Sequence, residues 1–148
     1  MNYISTRNKS LNFDFSNIFL RGLAPDGGLF LPSEIKKFSD DKLKELSKLN
    51  YIDLGVEIIT KFCTPALDKN KIKLLLDKAY SSFDTKNIVE IKKIDNINLL
   101  ELYHGPTLAF KDIAMQVIGL MYEALNLNKK NINIIVATSG DTGSAAIA

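Results

Sequence analysis

Residues 132–143 read Ile-Asn-Ile-Ile-Val-Ala-Thr-Ser-Gly-Asp-Thr-Gly, a short apolar run followed by a turn of small polar residues. The run from Ile132 to Ala137 is rich in Ile and Val, which is typical of a strand buried on both faces. After the turn, the small residues from Ser144 to Ala148 begin another helix. Strand, glycine-containing turn and helix in this order predict one unit of a parallel sheet with helical crossovers, the α/β class.

The residues before this run also carry strand and helix patterns. Ile88–Ile94 and Ile97–Leu102 are β-rich, and the Asp95-Asn96 pair between them favours a tight hairpin turn. A long amphipathic helix is predicted over Phe110–Leu127, with its apolar residues at helical spacing. The second half of the chain therefore reads as the start of a sheet domain.

The first half of the chain is mostly helical in pattern. Ser39 and Asp68 are candidate helix N-caps, and Ile72, Leu75, Leu76 and Ala79 form one apolar stripe. The segment Gly22–Pro32 contains Pro-Asp-Gly-Gly and is expected to be an ordered loop. Because the pattern changes near residues 80–87, we predict a helical amino-terminal domain at 1–84 and the beginning of a second domain at 85–148. The last helix has barely begun at Ala148, so we expect a truncated piece of a longer protein.

Composition excludes several classes of function. The chain has 148 residues, 46% apolar and 24% charged, which is ordinary for a globular protein and argues against disorder. Its net charge of +2 comes from scattered residues, so nucleic acid is not an expected partner. Cys63 is the only cysteine, so neither a disulfide nor a zinc site is predicted. No signal pattern and no apolar run of roughly 20 residues occurs, so we expect no membrane segment and a cytoplasmic location.

Lys111 is the first candidate functional residue. It follows the rigid His-Gly-Pro-Thr turn at 104–107 and stands in the first turn of the predicted apolar helix. The positive end of the helix dipole and partial burial both disfavour a charged ammonium, and a neutral amine can attack an aldehyde. From the residues alone, an ordinary surface lysine beside the first-turn acid Asp112 is the favoured interpretation of Lys111.

The second candidate is the turn formed by Ser139, Gly140, Asp141, Thr142 and Gly143. Backbone N–H groups and hydroxyls between a strand and a helix can hold an anion such as a carboxylate. The same residues could simply cap the turn. They match neither the phosphate loop of nucleotide-binding proteins nor the dinucleotide pattern of glycines. Both candidates are expected at the carboxyl ends of strands, where ligands bind in parallel sheets.

Four segments together resemble the threonine synthase family: Tyr3–Arg7, Gly22–Pro32, Leu102–Asp112 and Ala137–Ala146. They occur in the family's order and cover nearly the whole chain. The lysine motif alone would indicate only the wider group of pyridoxal phosphate enzymes that includes cysteine synthase and the tryptophan synthase β chain. The opening segment and the Pro-Asp-Gly-Gly loop are what point to threonine synthase.

The resemblance implies an activity and roles for both candidates. It implies a pyridoxal 5'-phosphate aldimine on Lys111 and conversion of O-phospho-L-homoserine and water to L-threonine and phosphate, with the freed lysine moving protons. It also implies that residues 139–143 hold the substrate carboxylate beside the cofactor ring. Many relatives in the wider group carry Asn where Asp141 stands, so we assign Asp141 no contact with the ring oxygen. The family's loop for the cofactor phosphate would lie beyond Ala148.

Two other functions remain open at this stage. One is a threonine synthase-like phospho-lyase that eliminates phosphate from a different amino-alcohol phosphate. The other is a non-catalytic interaction module whose edge strands need a partner segment. The apolar faces near Ile132–Val136 also predict self-association of the truncated chain.

Overall fold

The computed structural model describes residues 1–126 and 131–148. In these ranges the chain forms helices and small sheets, which confirms the α/β class. It divides into two compact units, Met1–Leu74 and Leu75–Ala148. A domain division at 84 and 85 stays a prediction. The elements are β1 (Tyr3–Ser5), α1 (Phe15–Arg21), β2 (Phe30–Pro32), α2 (Asp40–Leu46), α3 (Tyr51–Cys63), α4 (Lys69–Ala79), β3 (Glu90–Ile94), β4 (Ile97–Glu101), α5 (Asp112–Leu125) and α6 (Asp141–Ile147).

The first unit opens with an antiparallel pair of short strands that the sequence did not predict. In this pair Tyr3 of β1 is opposite Pro32 of β2. The predicted ordered loop lies between them and is closed by a hydrogen bond of 2.9 Å from Gly27 N–H to the Ala24 carbonyl. Gly27 has a φ of 74°, a conformation that glycine adopts without steric cost. The loop prediction is therefore confirmed, although β2 occupies its last residues.

Side-chain caps begin the helices of this unit. The Ser39 hydroxyl accepts from Lys42 N–H at the start of α2, and Asp68 accepts at 2.8 Å from Lys71 N–H before α4. Both predicted caps are confirmed. The apolar stripe of α4 is buried along its whole length. Helix α1, which begins after the cap Asp14, was not predicted.

The second unit contains the predicted hairpin. Strands β3 and β4 are antiparallel, and Ile94 faces Ile97 across a turn made by Asp95-Asn96. Asp95 has a φ of 50°, in the left-handed region that Asp tolerates better than most residues. Helix α5 buries Val117, Met121 and Leu125, starts two residues later than predicted, and its predicted end at Leu127 lies outside the described residues.

The predicted strand at Ile132–Ala137 is wrong. This segment has no regular secondary structure and is exposed throughout, and the side chain of Ile135 is 94% exposed. A strand of a parallel sheet needs a neighbour to accept and donate its backbone hydrogen bonds. In the described part of the chain β3 and β4 pair only with each other, so the segment has no neighbouring strand and no parallel sheet forms.

The predicted last helix is confirmed and starts earlier than expected. It begins after Gly140 rather than at Ser144, so the turn at 139–143 overlaps its first residues. It packs against α5, where the Gln116 side-chain amide donates to the Ala145 carbonyl at 3.1 Å. Across the ranges that the structure describes, no helix is both long enough and apolar enough to cross a bilayer.

Candidate functional site

Lys111 lies at the start of α5, where the sequence placed it. Its backbone is helical (φ −61°, ψ −28°), and its carbonyl accepts from Met115 N–H at 2.9 Å. The side chain is half-buried, and its Nζ lies 4.6 Å from the centroid of the Phe110 ring. No ion pair of Lys111 is present among the described residues. Its amine is therefore not neutralised by a carboxylate of this part of the chain.

The turn before Lys111 is tightly folded. Leu108 N–H donates to the Gly105 carbonyl at 3.1 Å, and Asp112 N–H donates to the Ala109 carbonyl at 3.1 Å. Leu108 has a φ of 58°, which is rare and strained for a residue with a Cβ atom and a bulky side chain. The surrounding contacts must hold this conformation, because leucine does not prefer it.

A buried carboxylate closes this turn. Asp112 is fully buried, and its Oδ2 accepts from Thr107 N–H at 2.8 Å while its Oδ1 accepts from the Thr107 hydroxyl at 2.7 Å. We call this pair of hydrogen bonds the Thr107–Asp112 clasp. Gly105 packs against it so closely that an added Cβ would lie 2.5 Å from the Asp112 Cβ.

The sequence pattern marks Asp112 only as a favourable acid in the first helical turn. The clasp could not be predicted, because its two hydrogen bonds join the ends of a loop, where neither helical nor strand periodicity applies. The available signal was a hydroxyl residue that directly follows Gly-Pro and is itself followed five residues later by an acid.

A second buried carboxylate lies at the end of β4. Glu101 is 4% exposed and accepts from Lys92 Nζ at 2.8 Å and from His104 Nε2 at 3.2 Å. Hydrogen bonds from Lys92, then from Tyr103 and His104, lower the pKa of Glu101 below its usual value. The His104 carbonyl in turn accepts from Asp84 N–H at 2.9 Å. His104 therefore has structural partners at both its ring and its backbone.

The turn at Ser139–Gly143 is held by Thr138, the residue directly before it, which was not among the predicted site residues. The Thr138 hydroxyl oxygen accepts from Gly140 N–H at 3.0 Å and from Gly143 N–H at 3.2 Å. Gly140 has a φ of 134°, which effectively requires glycine. The two glycine N–H groups are thus already bonded within the chain, while Ser139 and Asp141 are exposed.

The described residues of the second unit also form an open cavity of about 390 Å³ beside α5 and α6. Met115, Gly119 and Ala146 are among its lining residues. Neither Lys111 nor the turn at 139–143 lines it. The cavity therefore does not bring the two predicted site segments together.

The family model of the threonine synthase N terminus matches residues 2–80, more than half of the chain. The chain belongs to the threonine synthase family. This confirms the resemblance carried by the four sequence segments, of which the first two lie inside the matched range.

Individual threonine synthases match almost the whole chain. It is 42% identical to the threonine synthase of Methylobacillus glycogenes, over 99% of the chain and 33% of the relative. It is 41% identical to threonine synthase-like 2 of Xenopus laevis, over 99% of the chain and 32% of that relative. The chain thus spans about a third of the length of the curated relatives it matches.

Solved threonine synthase structures share its fold. The pyridoxal phosphate-bound threonine synthase of Brucella melitensis superposes with a TM-score of 0.90 at 37% identity, covering 99% of the chain and 32% of that structure. The threonine synthase from yeast gives the same TM-score, identity and coverage. The fold described above is therefore that of the amino-terminal part of these enzymes.

Proposed function

We propose that the protein containing this chain is a pyridoxal phosphate-dependent threonine synthase in which Lys111 carries the cofactor. Membership of the family and the cofactor-bound relative from Brucella melitensis support this proposal. Within the chain, the proposal rests on the contacts of the Lys111 amine. Both carboxylate oxygens of the neighbouring Asp112 accept hydrogen bonds from Thr107, so the amine is left without an ion pair among the described residues.

This arrangement fits a cofactor that binds through its aldehyde. A lysine held in a salt bridge is engaged by a carboxylate, whereas the half-buried Lys111 amine has no carboxylate partner among the described residues and is free to approach an aldehyde. The Phe110 ring beside Nζ offers an apolar flank without a competing negative charge. The chain therefore supplies a suitable attachment point, and it supplies it from a rigid turn.

The proposed reaction converts O-phospho-L-homoserine and water to L-threonine and phosphate. When bound, the cofactor ring supplies an electron sink for the carbon atoms next to the substrate nitrogen. Lys111, acting as a general base and acid, would remove protons from Cα and Cβ and return protons to Cα and to Cγ, which becomes the methyl group of threonine. Phosphate leaves from Cγ, and water adds at Cβ.

We further propose that the turn at 139–143 holds the substrate carboxylate. The N–H groups of Gly140 and Gly143 donate to Thr138, so the hydroxyls of Ser139 and Thr142 are among the remaining candidate donors of this turn. The carboxylate of Asp141 is an acceptor and would repel a substrate carboxylate, so we give it no binding role.

Product analysis of the full-length gene product tests the reaction. Incubation with O-phospho-L-homoserine should release phosphate and form threonine in equal amounts, and both should depend on added pyridoxal phosphate. Borohydride reduction followed by peptide mapping should place the pyridoxyl group on Lys111. A pyridoxyl group on another lysine would refute the assignment of Lys111.

The similarity to threonine synthase-like 2 supports a second candidate function, a phospho-lyase acting on a related amino-alcohol phosphate. Such an enzyme would form no threonine from O-phospho-L-homoserine, because its substrate is a different amino-alcohol phosphate. Threonine formation from O-phospho-L-homoserine therefore separates the two functions in the same assay.

A further inference from the structure

Asp112 is fully buried, and among the described residues its carboxylate oxygens accept hydrogen bonds from Thr107 alone. Burying a charge is costly unless it is paired or well hydrogen-bonded, and a lone hydroxyl residue is a modest partner. Nothing in the proposed reaction requires this acid to react. Its role must therefore lie in the loop that the two hydrogen bonds close.

We infer that Asp112 is a positioning residue for Lys111, acting through the Thr107–Asp112 clasp; the inference rests on the proposed role of Lys111. The clasp joins residues 107 and 112 and so closes a loop that contains Lys111. Gly105 packs against the closed end, where no Cβ would fit. The lysine backbone is thus fixed from the helix side by Met115 and from the turn side by the clasp.

The strained residue inside the loop shows why a clasp is needed. Leu108 lies between the two ends of the clasp with a φ of 58°. If the clasp opened, Leu108 would relax to a negative φ and carry the following residues, including Lys111, to a new position. A shift of about 1 Å in a reacting group can cost on the order of a hundredfold in reaction rate.

The experiment compares two reagents on the same lysine in the cofactor-free, full-length gene product. Pyridoxal phosphate with borohydride labels an amine that is held in the right place, whereas acetic anhydride labels any accessible amine. Mass spectrometry gives the ratio of the two labels on Lys111, with the exposed Lys86 and Lys93 as internal references. Thermal unfolding of each variant is measured in parallel.

Four variants separate positioning from general stability. Thr107→Val removes the hydroxyl bond at constant size, and Asp112→Asn is a milder variant that keeps one acceptor oxygen. Thr107→Ser keeps the hydroxyl and should restore the wild-type ratio. Thr85→Val is the matched control, because the buried Thr85 hydroxyl has no hydrogen-bond partner among the described residues.

We expect the label ratio on Lys111 to fall about tenfold or more in T107V and D112N, and to change less than about twofold in T107S and T85V. A lower unfolding temperature with an unchanged label ratio would overturn the inference and leave Lys111 as the cofactor residue. Equal ratios on Lys111, Lys86 and Lys93 in the unmodified protein would overturn the role of Lys111 itself, and the inference with it.

Discussion

The turn before Lys111 and the turn at 139–143 each lead into a helix of the second unit, yet they are held in opposite ways. The first is closed by the fully buried carboxylate of Asp112 and contains a strained leucine. The second is closed by the exposed hydroxyl of Thr138, in a segment whose residues from 131 to 140 are all exposed.

The difference shows how much of each turn's geometry the chain itself determines. A buried, fully bonded polar group fixes its neighbours strongly, because breaking its bonds leaves an unsatisfied charge away from water. An exposed hydroxyl can exchange its partners for water at little cost. We therefore infer that the lysine turn holds its shape before any ligand binds, whereas the second turn is easier to deform.

The largest effect should follow removal of the lysine amine. In full-length K111A, threonine formation should fall on the order of a thousandfold or more, because the amine is the proposed attachment point and the proposed proton carrier. Absorbance of the bound cofactor measures attachment, and threonine formation measures turnover.

Lys93→Ala is the control for this substitution. Lys93 is an exposed lysine of β3, and its loss should change neither signal measurably. Near-normal turnover of K111A would show that the rigid turn before Lys111 is not required for catalysis. The difference between the two turns would then be structural only.

The next effect concerns the packing of the lysine turn. In G105A the new methyl group would lie 2.5 Å from the Asp112 Cβ, so the free energy of unfolding should fall by about 1–3 kcal/mol. In the matched variant G119A the methyl group meets no atom within 4 Å, and the helix should gain roughly 0.5–1 kcal/mol. Urea unfolding of the two variants measures both changes, and equal effects would contradict the proposed tightness of the lysine turn.

The parts of the fold that the sequence predicted are those decided by neighbouring residues. The hairpin at Asp95-Asn96 and the cap at Asp68 depend on local hydrogen bonds, and both are present. Ile132–Ala137 has the composition of a buried strand, but strand formation depends on a neighbour that the pattern cannot supply. The position of Lys111 at the head of a helix was predicted for the same local reason.

The clasp could not be predicted by these rules. It joins Thr107 to Asp112 around a leucine with positive φ. Hydrophobic periodicity predicts neither the strain of that leucine nor the burial of the Asp112 carboxylate. The hydrogen bonds that the Thr138 hydroxyl accepts from the two glycines were not predicted, because they run back from the turn to the residue that precedes it. The sequence therefore predicted where the two turns lie, whereas the hydrogen bonds that hold them are visible only in the structure.

The pH dependence of unfolding tests how much Glu101, the buried carboxylate at the end of β4, stabilises the protein. The pKa of Glu101 is lowered from its ordinary value of 4.5, chiefly by the hydrogen bond from Lys92. A lowered pKa in the folded state adds stability that is complete above pH 4.5 and is lost as the pH falls through the lowered value. The unmodified protein should therefore lose more stability than E101Q between roughly pH 6 and roughly pH 3.

Lys92 offers an independent check of that cause. Lys92→Met should remove the same acid-dependent stability as E101Q, because its ammonium is the main group that lowers the Glu101 pKa. Lys93→Met, on the neighbouring residue of β3, should leave the pH dependence of unfolding unchanged. If K92M and K93M behave alike, the hydrogen bond at 2.8 Å does not control the titration of Glu101.

The smallest effect should come from the exposed turn. Thr142→Val keeps the size of the side chain and removes one hydroxyl, so loss of a single hydrogen bond to the substrate carboxylate should cost about 1 kcal/mol, or roughly a fivefold rise in KM. Cofactor absorbance should stay unchanged, because Lys111 and its clasp are untouched. Thr138→Val provides the contrast: it removes the acceptor for Gly140 and Gly143 N–H and should loosen the whole turn, raising KM more than T142V does. Unchanged kinetics in T142V together with impaired kinetics in T138V would mean that residues 139–143 act by shaping the backbone, and that the Thr142 hydroxyl does not contact the substrate.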